Sequence, residues 1–208
     1  ARRIAELIGR DFVDYWKAGG LAMLCMLPGM LGVSISLAAG GLLPALLCGL
    51  IGGAIAAPCQ TGLFDTVART LRDEPGFWWH NYRTAVARNA RAALVPGALV
   101  GLLTAASATL FYALLLNGGS PVLWGCAVLS LMLLAGGWAY YMLQLVLLDM
   151  PGGQLLRNTF LLWIGYLPRT FLAAAIQIVY WGGILLLSPY SLPVLLLTSA
   201  WLPVAGSA

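Results

Sequence analysis

Long apolar runs that no charged side chain interrupts constrain this 208-residue chain more than any other feature. Reading along it, such runs cover residues 18–39, 42–64, 93–116, 122–148 and 170–187, and a shorter one covers 192–204. A hydrocarbon layer is crossed by roughly 20 apolar residues wound as a helix, so the first five runs predict spans. The sixth, at 13 residues and carrying Pro193 and Pro203, is short for a full crossing. Only 9% of residues are charged and 61% are hydrophobic. A water-soluble globule has about a quarter of its residues charged, which excludes that class here. The expected fold is all-α: a polytopic transmembrane bundle of five spans plus a short C-terminal sixth apolar helix, with amphipathic connector helices at 65–92 and 149–169. The whole chain, 1–208, reads as a single integral membrane domain.

The breaks between runs carry ordinary turn chemistry. Gly40-Gly41, Asn117-Gly118-Gly119-Ser120-Pro121 and Ser188-Pro189-Tyr190-Ser191 close hairpins. Asp73-Glu74-Pro75-Gly76 ends one helix and opens another from Phe77. Asp149-Met150-Pro151-Gly152-Gly153 precedes a short helix of mixed character over 154–163. The first seventeen residues, with Arg2, Arg3, Arg10, Lys17, Glu6, Asp11 and Asp14, are too charged for the apolar core of a leader peptide.

Charge fixes an expected orientation. If successive spans alternate sides, the N-terminal arm and the two connectors hold all 11 Lys and Arg, while the opposite turns hold none. Basic short loops stay cytoplasmic, so the N-terminus and both connectors are expected to face the cytoplasm of a bacterium, in its inner membrane. The seven acidic residues lie on the same side.

The spans hold no ionisable group in their middle, which argues against proton-coupled pumps and voltage sensors, since these pass charge at membrane depth. No catalytic or metal motif is present, and no cofactor or metal is expected. Asp65, His80 and Asp149 fall at the charged side, where an enzyme acting on lipids would need them gathered in a cleft; the plainer reading is helix-end charges paired with Arg69 or Arg157. Cys25, Cys48, Cys59 and Cys126 read as small apolar fillers, and a disulfide framework is not supported. Tyr140, Gln144 and Gln177 are expected either to line an intramembrane cavity or to hold helices together by hydrogen bonds. Three small-residue stripes, Gly32-x3-Ser36-x3-Gly40, Gly49-x3-Gly53 and Gly97-x3-Gly101, allow close helix approach within the bundle or between subunits of an oligomer. The connector 77–91 is aromatic at one end (Phe77, Trp78, Trp79) and basic along a face. Wound as a helix it lies at headgroup level before turning into the third span, either as a topological anchor with an aromatic belt or with Arg83, Arg88 and Arg91 meeting anionic lipid, a phosphate or a membrane or cytoplasmic protein partner. Nucleic acid is not an expected partner.

Over residues 12–175 the order of these features resembles the YesL-like family of bacterial integral membrane proteins. The resemblance is carried by Leu27-Pro28, Thr61-Gly62-Leu63-Phe64, Val67-Ala68-Arg69-Thr70-Leu71-Arg72, Asp73-Glu74-Pro75-Gly76-Phe77-Trp78, Tyr82-Arg83, Arg88-Asn89-x-Arg91-x-Ala93-Leu94 and Leu167-Pro168-Arg169-Thr170-Phe171. It implies a polytopic inner-membrane protein found alongside carbohydrate-uptake systems, and it brings no catalytic or binding residue. The expected function is therefore an accessory, partner-binding component of solute uptake rather than an enzyme. The alternatives are a small substrate-binding transport module, like the substrate-capturing subunits of vitamin importers, and a lipid-acting enzyme.

The charge count yields a direct expectation. In a cysteine-free background on whole cells, Cys introduced at Gly119 reacts with an impermeant thiol reagent, and Cys introduced at Gly76 reacts only after the membrane is opened. The opposite labelling pattern would refute the orientation.

Overall fold

In a computed structural model, the described residues are 12–186 apart from 73, 75, 149 and 151, and every element among them is a helix. In chain order these are α1 (Phe12–Ala38), α2 (Leu42–Leu71), α3 (Trp78–Asn117), α4 (Pro121–Leu147), α5 (Gly152–Gly165) and α6 (Leu167–Leu186). The turns fall where glycine is needed: Gly40 and Gly118 have φ of 74° and 72°, which a Cβ disfavours. Ser120 caps α4 by accepting from the Leu123 amide at 3.4 Å, with Pro121 in the first turn. Helices α1 to α4 are each long and apolar enough to cross a membrane. The fifth run is covered by α6, after the short helix α5 that the sequence also leads one to expect. Helices α5 and α6 meet at a 92° bend and count together as one broken span or a re-entrant segment. Pro168, second residue of α6, has no N–H to extend the preceding helix. The short apolar run 192–204 lies outside the described residues.

Side chains are sorted by size in the reverse of the water-soluble pattern. The buried set is rich in alanine (Ala18, Ala22, Ala45, Ala57, Ala93, Ala105, Ala127 and Ala139), while Leu24, Ile35, Leu43, Val95, Leu115 and Val122 point outward. Lipid tails are as apolar as leucine, so burying large side chains gains little in a bilayer, and small residues win by letting backbones approach. Glycines from each stripe, together with Gly29 and Gly52 outside them, are used in this way inside the chain, whereas Gly40 faces open space. A Cβ on Gly53 would fall 2.7 Å from the Gly101 Cα, and one on Gly29 2.7 Å from the Gly52 Cα. A Cβ on Gly32 would meet the Cys48 side chain, and one on Gly97 that of Ala57. Helix α2 is thus gripped on two sides, by α3 and by α1, both antiparallel to it.

The same register brings Cys25 of α1 and Cys59 of α2 together as a disulfide, with Cα atoms 6.6 Å apart. This corrects the reading of all four cysteines as fillers; Cys48 and Cys126 alone are free. A separation of 34 residues gives no local motif, and only the antiparallel hairpin makes the two neighbours.

Polar groups inside the spans are few and mostly paired. Ser34, Ser36, Thr104 and Thr109 donate to carbonyls four residues back in their own helices. Gln60 of α2 joins three helices: its amide nitrogen donates to the Met26 sulfur of α1 at 3.3 Å, and its oxygen accepts from the Trp138 indole of α4 at 2.6 Å. Trp138 stacks on Tyr141, with centroids 5.8 Å apart. The Tyr141 hydroxyl donates at 2.9 Å to the Ala92 carbonyl. That carbonyl lies four residues before Pro96, which has no N–H to offer it. A partner from α4 therefore fills a vacancy that a proline opened in α3.

With 40 residues, α3 is about 60 Å long, twice the hydrocarbon thickness of about 30 Å. It runs unbroken from 78 to 117, so the basic connector does not stop and turn but continues as one helix into the third span. Its direction still differs from that of α2. Gly97 faces Ala57, whereas the Tyr82 ring covers Gly62 and its hydroxyl donates to the Cys59 carbonyl at 3.0 Å. While α3 travels from 97 back to 82, α2 advances only from 57 to 62, so the first part of α3 crosses α2 obliquely.

A large side chain at Gly53 or Gly101, for example Gly101→Leu, is expected to force α2 and α3 apart. The change should lower the thermal midpoint in detergent by well over 10 °C or abolish the folded peak. Gly137→Ala, with open space at its Cβ, is the control and should unfold like the parent. A Gly101→Leu protein as stable as the parent would show that the contact is dispensable.

Candidate functional site

The described charged residues gather at one end of the bundle: the start of α1, the end of α2 and the first part of α3, with Arg157 on α5 and Arg169 at the start of α6. On α2 the charges neutralise one another. Asp65 accepts from Arg69 Nε at 2.7 Å, and Glu74 lies 3.3 Å from Arg69 and 3.4 Å from Arg72. Asp65 is a helix-end acid paired with Arg69, as expected, but it is not solvated, being only 3% exposed. On α1, Lys17 lies 3.8 Å from Asp14 and 5.3 Å above the Trp78 ring. His80 is exposed on α3, and Asp149 is outside the described residues. Among the described residues no group of three or more His, Cys, Asp or Glu comes together.

The α3 arginines are different. Helical spacing sorts the segment into two faces. Tyr82, Ala85, Asn89 and Ala93 are buried, whereas His80, Arg83, Thr84, Ala87, Arg88 and Arg91 are exposed. Arg83, Arg88 and Arg91 make no ion pair with any described residue. An open groove of about 650 Å³ runs along this face, lined by His80, Arg83, Thr84, Ala87 and Arg88; Arg91 follows one turn after Ala87, where the apolar run begins. Arg88 is fixed in direction: its Nη2 donates at 3.3 Å to the Val146 carbonyl in the last turn of α4. Carbonyls in a last turn have no partner within their helix, and a cation there also meets the negative end of the helix dipole. This second role was hidden in the sequence, since nothing local to Arg88 points to residue 146.

Three aromatic residues open the segment. Trp78 packs against the core and contacts the Tyr82 and Trp79 rings, and Trp79 stacks on Tyr82 at 6.3 Å. Phe77 is 77% exposed and Trp79 47%. Behind them, the Trp78 indole nitrogen and the Asn89 amide nitrogen are buried without a protein partner.

The intramembrane candidates lie elsewhere. Gln144 is buried, and its Nε2 donates to Thr159 of α5 at 3.0 Å and to the Tyr140 carbonyl. It therefore acts as a tie between α4 and α5. Its Oε1 has no partner, nor has the Trp163 indole nitrogen on the facing side of the same seam. Tyr140 is half-buried one turn earlier, and Gln177 lies in α6 with its side chain outside the described residues. Gln60 stands near the end of the second run and Tyr141 is grouped by sequence with the possible cavity-lining residues, but that both act as ties between helices was not legible. The proline at 96 was the one signal that an acceptor at 92 would need a donor.

No known protein family, no curated protein and no solved structure matches this chain.

The buried Asp65 makes its partner's removal costly. Arg69→Met should destabilise the protein by about 3 kcal/mol, because it strands a buried carboxylate. Arg72→Met, which breaks only an exposed pair, should change stability by less than about 1 kcal/mol. Denaturant titration of the two variants side by side measures the difference, and equal effects would mean that Asp65 is solvated after all.

Proposed function

We propose that the protein is a multi-pass component of the bacterial inner membrane, with its charged end in the cytoplasm, that acts as an accessory to solute uptake by docking a partner protein at that end. The observation that carries this reading is the pairing of exposed aromatic rings, at the α2–α3 turn, with cations that no described acid neutralises. Phe77 and Trp79 stand in the open beside Arg83, and Leu71 is also exposed there. Aromatic residues and arginine dominate the binding energy of protein interfaces, and leaving two large rings uncovered costs a membrane-surface protein unless something covers them. The bundle supports the reading from inside: the stripes 49–53 and 97–101 are closed on one another and Gln144 is tied to Thr159. The cytoplasmic side follows from the count of positive charges. The link to carbohydrate uptake rests on the resemblance of the sequence to the YesL-like family.

A second reading, the small substrate-binding module, has one observation in its favour. A buried acceptor (Gln144 Oε1) and a buried donor (Trp163 Nε1) face the same seam beside the bend between α5 and α6. Transporters build solute sites at such interruptions of a span.

A photo-crosslinking residue placed at Phe77 in living cells separates the readings. A discrete protein adduct is expected from Phe77, and none from a lipid-facing control at Leu115, which is 71% exposed on the other side of the bundle. Adducts with lipid alone at both positions would remove the partner-binding reading.

A further inference from the structure

We propose that the α3 groove binds the phosphate of an anionic phospholipid headgroup, an inference that rests on the charged end lying at the membrane surface. The argument starts from charge. The described acids are taken up elsewhere, Asp14 by Lys17, Asp65 by Arg69, and Glu74 by Arg69 and Arg72. Arg83, Arg88 and Arg91 remain on the exposed half of the helix, where Arg88 and Arg91, at i, i+3, repel each other. An anion in the groove removes that repulsion.

The donor set selects phosphate. Arginine offers a planar fork of N–H groups that matches two oxygens of one phosphate. Arg88 spends Nη2 on the Val146 carbonyl, which holds its guanidinium in place and leaves its other N–H groups for a ligand. The Thr84 hydroxyl, one turn before Arg88, and His80, one turn before Thr84, line the same groove. The groove is open, so a headgroup can enter it from the membrane surface.

Position selects lipid over a soluble phosphate ester. Immediately beyond Arg91 the apolar run of the third span begins, and beside the anchor of Arg88 the end of α4 presents Leu147 and Leu148, each 40% exposed. A lipid seated with its phosphate on Arg83 and Arg88 lays its acyl chains over these leucines; a soluble phosphate leaves them bare. Cations at this depth also gain from the anionic leaflet itself.

The test uses the full chain purified in mixed micelles that offer phosphatidylglycerol and phosphatidylcholine in equal amounts, with retained lipid counted by native mass spectrometry. Phosphatidylglycerol should be retained in clear preference. Arg83→Gln, at an exposed residue with no partner among the described residues, should cut that preference about fivefold, the value of one cation at an anionic surface. Thr84→Val keeps every charge and should also weaken the preference, so the reading survives if Arg83→Gln folds poorly. Arg72→Gln, outside the groove, should leave it unchanged. Equal retention of the two lipids, an Arg83→Gln preference equal to the parent's, or an equal loss in Arg72→Gln would overturn the site. Millimolar glycerol phosphate should not displace the lipid; full displacement would overturn the lipid assignment and give the groove to a soluble phosphate ester. The adduct at Phe77 is read in cells and on another residue, so either result can fail without the other.

Discussion

Backbone-to-backbone contact between α2 and α3 is the constraint from which the rest of the arrangement follows. In a bilayer, helices are not driven together by release of water from their side chains, and what remains is dispersion, weak Cα–H···O contacts and hydrogen bonds. Each of these falls steeply with distance, so it matters that Gly53 and Gly101 leave no room for a Cβ between the two helices. Exposed ion pairs such as Arg72 with Glu74 contribute at most about 1 kcal/mol. The charged end is therefore placed by packing deeper in the membrane, and its salt bridges decorate an arrangement already made.

Hydrogen bonds then fix what packing leaves free. Gln60 ties α1 and α4 to α2, and the hydroxyls of Tyr82 and Tyr141 each reach a backbone carbonyl in a neighbouring helix. Arg88 does the same for the end of α4. Together these bonds hold the first part of α3 across α2 with one face buried and the basic face outward. The groove exists because that segment is pinned at both ends, at Tyr82 and at Ala92.

Much of the fold was legible because membrane spans are written in hydropathy, and the four long helices fall on the apolar runs. The short helix at 152–165 follows the mixed pattern of its sequence as well. The bend before α6 was not read, although Pro168 stands there, since a proline in a first turn is more often a helix start than a hinge. Small-residue spacing in 32–40, 49–53 and 97–101 announced close approach, but it carries no information about which stripe meets which. The Cys25–Cys59 pair was illegible for the same reason, being a product of register between helices. At the candidate site, the common face of Arg88 and Arg91 could be drawn from helical spacing alone. The anchoring of Arg88 could not, because its acceptor is a main-chain atom of α4 and has no side-chain signature. Asp65 shows the opposite limit: its partner was readable at i+4, its burial was not.

The bond between Tyr141 and Ala92 also has a direction in time. The two residues are 49 positions apart, and a ribosome makes them in order, acceptor first. Until α4 is synthesised, the third helix carries an open carbonyl four residues before Pro96. It sits next to Arg91, at the edge of the apolar run, where water can occupy it. The fourth helix, once made, exchanges that water for the Tyr141 hydroxyl.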